Sequence, residues 1–271
     1  MNLLDKEPII RDPDYGKKVL IFDIENTPLI SYTWGMWETD VIEVKENWYI
    51  LCFAYKWLGE KDVHIVAMPD FKLYKKDKQN DYEVVKKLHE LFEQASMIIA
   101  HNGDQFDIKK ANARFIFHGF EPPTPYKTID TLKIARRYFK FDSNKLDYLG
   151  QYLKLGRKLP HTGKHLWFGC MEGDMKSWKI MKDYNKMDVI LLDKVYRKLR
   201  GWKKGTPYMN LIVGKPENCP NCGGEHMHSH GLDWDGLSVY YRYKCLNCGA
   251  NIRALPTSEE REHLSKTRPK R

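Results

Sequence analysis

KVLIFDIE, residues 18–25, is an apolar, β-branched run that ends in two acids. Its composition predicts a strand. A strand alternates faces, so Asp23 and Glu25 project from the side that Val19 and Ile21 share. Two carboxylates closing an otherwise apolar strand face are costly unless a cation holds them. A divalent metal fits that need, because hard cations take carboxylate oxygens. The alternative is a strand that stops at Phe22 and leaves both acids in water.

Working outward, residues 48–57 (WYILCFAYKW) and 62–67 (DVHIVA) read as two further strands, with Gly59 turning between them. Residues 81–95 place Val84, Leu88, Leu91 and Phe92 at helical spacing. A short apolar strand follows at 96–100, then a polar loop. Helices are expected at about 106–118, 131–139 and 145–154, the last capped by Asn144 with Asp147 at its third position. Residues 155–174 have no clean period and read as a long functional loop. A helix over about 175–200 carries the stripe Met181, Tyr184, Leu191, Val195 and Leu199. This order predicts an α/β fold with a mixed central sheet flanked by helices. The expected division is a main domain at 1–203, a linker at 204–216, a cysteine module at 217–254 and a basic mobile tail at 255–271.

The 271 residues are 42% hydrophobic and 30% charged, which suits a folded chain. No apolar run approaches the roughly 18 residues of a membrane helix, and the N-terminal segment has acids and prolines where a signal peptide has an apolar core. A cytoplasmic protein with no membrane partner is expected. The net charge of +9 suits a polyanion, and nucleic acid is the commonest one.

Two further acidic segments matter. His101-Asn102-Gly103-Asp104-Gln105-Phe106-Asp107 follows an apolar strand and opens a helix, a place where sites form in α/β sheets. Asp107 is alternatively an ordinary helix-start acid. Tyr184-Asn185-Lys186-Met187-Asp188 puts Tyr184 and Asp188 on one helix face, within the apolar stripe. A core-facing Asp188 needs a partner, and a metal shared with the first strand would supply one. A helix rotated by one position would instead leave it at the stripe's edge.

Taken in order, FDIE at 22–25, HNGDQFD at 101–107 and YNKMD at 184–188 resemble the three exonuclease motifs of the DEDD superfamily. Position 183 is Asp rather than His, so the tyrosine subtype is the one resembled. The proofreading domains of family-A and family-B DNA polymerases and phage stand-alone exonucleases share this pattern. TIDTLKIAR at 128–136 and KLDYLGQYLKLGRK at 145–158 resemble connecting helices of the family-B-like branch, and the match spans about 18–200. The resemblance implies a ribonuclease-H-like fold and a 3′→5′ exonuclease that releases nucleoside 5′-monophosphates. It implies two Mg²⁺ or Mn²⁺ ions, one on Asp23, Glu25 and Asp188, the other on Asp23 and, through water, Asp107. Tyr184 would orient the attacking water, and Asn102 and Phe106 would grip the 3′-terminal nucleotide. Plain core packing is the alternative for Phe106. The implied partner is single-stranded DNA or a DNA 3′ end, with a DNA polymerase or another replication protein beside it. RNA is the rival substrate, and a non-catalytic adaptor binding nucleic acid or a partner through its cysteine module is the rival class.

CPNC at 219–222 and CLNC at 245–248 each precede a glycine, Gly223 and Gly249. Two CxxC pairs at this spacing predict one structural tetrahedral Zn²⁺ in a zinc ribbon, on Cys219, Cys222, Cys245 and Cys248, with no catalytic role. Cys52 and Cys170 stand alone, which fits a reducing compartment. His226, His228 and His230 are alternative ligands or part of a solvated hairpin loop. VYYRYK at 239–244 is either a stacking surface or a strand with an aromatic inner face. The KTRPKR end is expected to bind phosphate. Some of Arg136, Arg137, Lys140, Lys154, Arg157, Lys158 and Lys164 should contact the substrate backbone. Trp34, Trp37, Trp48 and Trp57 are expected in core or loop packing.

Overall fold

The computed structural model describes residues 18–255, apart from 38, 161, 204–207, 213–214 and 236–237. The basic tail and part of the expected linker therefore lie outside the described residues. In chain order the first elements are β1 (Lys18–Asn26), β2 (Ile30–Tyr32), β3 (Glu43–Glu46), β4 (Ile50–Trp57), β5 (His64–Ala67), α1 (Tyr82–Gln94) and β6 (Ala95–Ala100). They continue with α2 (Asp107–Phe117), β7 (Lys127–Asp130), α3 (Thr131–Tyr138), α4 (Leu146–Tyr152), α5 (Lys164–Glu172) and α6 (Met175–Leu199). The cysteine region adds α7 (Met209–Ile212), β8 (Met227–Trp234), β9 (Val239–Cys245) and β10 (Asn251–Ala254).

The predicted mixed sheet forms, in the order β5-β4-β1-β6-β7. β4 runs antiparallel to β1, and β6 runs parallel to it on the other side. β1 is thus the central strand, and its first half is buried on both faces, which is why KVLIF is continuously apolar. Val84, Val85, Leu88, Leu91 and Phe92 of α1 pack in one cluster with Leu20, Phe22 and Ile24 of β1. The rings of Phe22 and Phe92 meet edge to face at 5.2 Å, and Phe115 of α2 meets Phe92 at 5.4 Å.

The turn from β6 into α2 aims Asp107 at β1. Asn102 takes a left-handed φ of 65°, which a short polar side chain tolerates. A Cβ on Gly103 would lie 2.3 Å from that of Ala100, so only glycine fits there. Asp130, the N-cap of α3, accepts from the amides of Leu132 and Asn102, both at 2.9 Å.

Several expectations change. β7 was not anticipated, because EPPTPYKTID is proline-rich with little apolar pattern, and pairing with β6 makes it a strand. The expected loop at 155–174 contains α5, which buries Leu166 and Cys170 one turn apart and ends at Gly173 in the left-handed region. Asn144 does not cap the next helix. Lys145 occupies the N-cap without a side-chain bond, and Asp147 instead accepts from the Lys158 amide at 2.7 Å. Trp34 and Trp37 are 83% and 90% exposed rather than packed. No helix among the described residues is long and apolar enough to cross a membrane.

The described residues group into two compact units that divide between Val195 and Tyr196, with the cysteine region in the second. In that second unit, β10, β9 and β8 form a three-stranded antiparallel sheet.

The first unit holds a fully buried carboxylate, Asp81. It accepts from the Ile50 amide at 2.8 Å, Arg114 Nε at 2.8 Å and His118 Nε2 at 2.7 Å. These bonds tie the start of α1 to β4 and α2. Asp81→Ala leaves a buried guanidinium without its counter-charge, and is expected to cost about 3–5 kcal/mol of unfolding free energy in urea titration. A loss below about 1 kcal/mol would show that the network does not bind these elements together.

Candidate active site

β1 continues past Phe22 to Asn26, so Asp23 and Glu25 lie within the sheet rather than in a solvated end. α6 brings Asp188 against them. The ligand oxygens of Asp23, Glu25 and Asp188 all lie within 4.8 Å of one another. Asp188 is only 1% exposed, which places it in the buried stripe and not at its edge. Asp107 is also buried but stands outside this close trio. Its Oδ1 accepts from the Ile24 amide at 3.1 Å, between the two β1 acids in sequence. The four acids expected from the sequence therefore converge on one strand end.

Their protonation reflects the crowding. Burial, then the charges of Asp107, Glu25 and Asp188, raise the Asp23 carboxyl well above its usual range. Burial, then Asp188, pushes Glu25 up to about 8. Burial pushes Asp107 up to about 7, against the bond from Ile24 that favours its charged form. Close, partly buried, oxygen-only donors with excess negative charge are what a hard divalent cation requires, and this donor set fits Mg²⁺ or Mn²⁺.

Among the described residues, Lys158 is the cation that bonds to the cluster. Lys158 Nζ donates to Asp188 Oδ2 at 2.6 Å and to Tyr184 Oη at 3.1 Å. Burial opposes its charge, but Asp188, Tyr184 and Asp23 outweigh burial and hold the ammonium above its usual range. Lys158 was expected among cations on the substrate backbone, and the structure places it on the acids instead. Asp147 positions it by accepting its backbone amide.

Two neutral donors also escaped the sequence reading. Asn185, fully buried, donates from Nδ2 to Asp23 Oδ2 at 2.8 Å. It lies inside YNKMD, so its neighbours were the available signal. Trp167, on the unanticipated α5, hydrogen-bonds to Glu25, and no sequence pattern marked it. Tyr184 is 7% exposed, and burial followed by Asp188 pushes its phenol up, so it stays neutral. Phe106 is 41% exposed, which is not core packing. His101 bonds to Thr131 Oγ1 at 2.8 Å and the Asn144 carbonyl at 2.9 Å, and burial holds it neutral, down at about 4.

In the second unit, the sulfurs of Cys219, Cys222, Cys245 and Cys248 gather within 4.8 Å. Cys219 and Cys248 lie 3.8 Å apart, and Cys222 and Cys245 lie 3.7 Å apart. A tetrahedron with metal–sulfur bonds of about 2.3 Å has edges of about 3.8 Å, so the four thiols fit a tetrahedral ion. Gly223 and Gly249 both have positive φ, 72° and 74°. Their amides donate to the Cys219 and Cys245 carbonyls, closing each knuckle. His226, His228 and His230 are exposed and outside the thiol group, and the latter two lie on β8 rather than in a loop.

The raised carboxyls set a pH dependence. Without metal, the folded state holds protons on these groups that the unfolded chain loses near pH 4. Their contribution to stability is full below that value and is lost as pH rises through about 7 for Asp107 and about 8 for Glu25. In chelator, the melting temperature of the first unit is expected to fall between about pH 5 and pH 8, and added Mg²⁺ or Mn²⁺ should raise it most at the alkaline end. An equal metal effect at both ends would argue against this site.

No curated protein matches the sequence. Among solved structures, the chain is similar to the family B DNA polymerase from the hyperthermophilic archaeon Pyrobaculum calidifontis, with 15% identity and a TM-score of 0.47. The similarity covers 67% of this chain and 24% of that one, so the chain matches only about a quarter of the polymerase's length. A family model matches residues 20–200, from β1 through α6 with all four acids inside it, and on that match the chain belongs to the RNase_H superfamily.

Proposed function

We propose that the first unit is a metal-dependent 3′→5′ exonuclease that hydrolyses DNA, preferentially from single-stranded 3′ ends, and releases nucleoside 5′-monophosphates. The observation that carries this reading is the meeting of Asp23, Glu25 and Asp188 within 4.8 Å, from two elements far apart in sequence. The motif order FDIE, HNGDQFD, YNKMD supports the direction of attack. Divalent ions held by Asp23, Glu25 and Asp188, and by Asp23 with Asp107, would act as Lewis acids on the phosphodiester.

The chain's own groups divide the remaining work. Lys158 donates to the Tyr184 oxygen and fixes the phenol beside Asp188, where it orients the attacking water. Because its pKa is raised, Tyr184 positions that water and does not deprotonate it. Asn185 and Trp167 hold Asp23 and Glu25 in place. Phe106, exposed beside Asp107, packs on the terminal nucleotide, and Asn102 helps to hold it. In the second unit, the four cysteines hold one structural Zn²⁺, and this ribbon serves binding rather than chemistry.

On 5′-labelled single-stranded DNA and RNA, wild-type protein with Mg²⁺ or Mn²⁺ is expected to shorten DNA from the 3′ end, one nucleotide at a time. Asp23→Ala should abolish cleavage. Tyr184→Phe should lower turnover about 10²-fold, or ~2.7 kcal/mol of barrier, with metal affinity nearly unchanged. Internal cuts would refute the direction of attack, stronger activity on RNA would refute the substrate, and wild-type turnover in Tyr184→Phe would refute the role given to α6.

Metal analysis of purified protein should find one tightly held zinc that disappears when Cys219 and Cys222 become Ser. Zinc-free protein prepared without chelators would rule the ribbon site out.

A further inference from the structure

α2 carries away from the acids a row of side chains that, beyond Phe106, the proposed function does not use. Phe106, Lys110, Arg114 and Phe117 recur at helical spacing and so share one face. Lys110 Nζ lies 3.6 Å from the centre of the Trp48 ring and 5.8 Å from that of Phe106. The Arg114 guanidinium lies 4.1 Å from the Phe117 ring and 5.8 Å from Trp48. Rings and cations thus alternate over about 16 Å of helix. The row begins beside Asp107, and its two end rings, Phe106 and Phe117, are 41% and 69% exposed.

The two cations differ in what they have left to offer. Arg114 is buried and its charge is spent on Asp81, so it serves to back one face of the Phe117 ring. Lys110 has no ion pair with a carboxylate among the described residues, and burial alone shifts its ammonium, downward. The Trp48 ring holds that ammonium in a fixed place through its π face. A fixed, acid-free cation between two exposed rings suits a ligand that alternates flat apolar groups with anions.

We propose that this face of α2 is a track for single-stranded nucleic acid, with bases stacking on Phe106 and Phe117 and a backbone phosphate seated on Lys110. The polarity of the strand rests on the exonuclease reading, which places its 3′ end at the acids. The 16 Å or so of track accommodates several nucleotides at about 3.4 Å each. Unpaired bases present the free π faces that such rings bind, whereas a duplex buries those faces in its own stack. A wholly apolar protein partner would have to desolvate Lys110 without pairing it.

The test is fluorescence anisotropy of the full chain with labelled dT12 and rU12, without chelator or added Mg²⁺ or Mn²⁺ and with Asp23→Ala in every protein compared so that nothing is cleaved. Lys110→Ala is expected to weaken binding and to make the log–log salt dependence shallower by about 0.7. Lys110→Arg should restore most of that slope. Phe117→Ala should weaken binding about tenfold with the slope unchanged, because it removes a stack and no charge. Affinities within twofold of wild type for both alanine variants would overturn the track. So would a lost salt slope in Phe117→Ala, which would mean general damage to the fold. Binding without metal judges the track, and 3′-end shortening with metal judges the exonuclease, so the two readings fail separately.

Discussion

The constraint on which the structure turns is the mutual repulsion of the carboxylates gathered where β1 meets α6. Asp23 and Glu25 are fixed on one face by strand geometry, and α6 delivers Asp188 to the same place. Asp107 approaches from the start of α2 and accepts from the Ile24 amide. Asp107 and Asp188 are buried and the β1 acids half-buried, so each charge raises the cost of the next. A stable charged state needs more positive charge than Lys158 alone supplies, a shortfall that a bound divalent cation would meet.

Elsewhere in the same unit, other buried charges meet opposite charges. Asp81 meets Arg114 and His118, and Lys56 meets Asp193 at 3.0 Å with both side chains nearly buried. Those pairs leave little affinity for an added ion. At the β1 end the supporting groups are mostly neutral donors, Asn185 on Asp23 and Trp167 on Glu25. Neutral donors fix carboxylate geometry without cancelling carboxylate charge. The contrast between paired and unpaired burial marks where chemistry is possible.

The two units also separate two kinds of donor. The oxygen donors of the first unit suit hard divalent ions, and the four thiols of the second suit a softer, tetrahedral one. The closed sulfur set and its glycine-turned knuckles would leave a bound ion no open position, as in structural sites.

Much of this was legible in the chain itself. KVLIFDIE declared a strand with two acids on one face, because strand period is two and the flanking residues are apolar. The CxxC pairs and their glycines declared the thiol site, because both ligand spacing and the positive-φ turn are local properties. Helical period placed Tyr184 and Asp188 on one face. What the sequence left undetermined depends on groups distant along the chain. β7 exists because β6 offers it a partner, and α5 because a buried surface receives Leu166 and Cys170. Lys158 looked like one of many surface cations until Asp147 pinned its amide and turned its side chain onto Asp188. Phe106 was ambiguous between core and surface, since a local pattern cannot say which side of a helix end faces water. Local periodicity determined which residues share a face; only tertiary packing decided which faces meet, because desolvation and charge pairing act between residues that the chain keeps far apart.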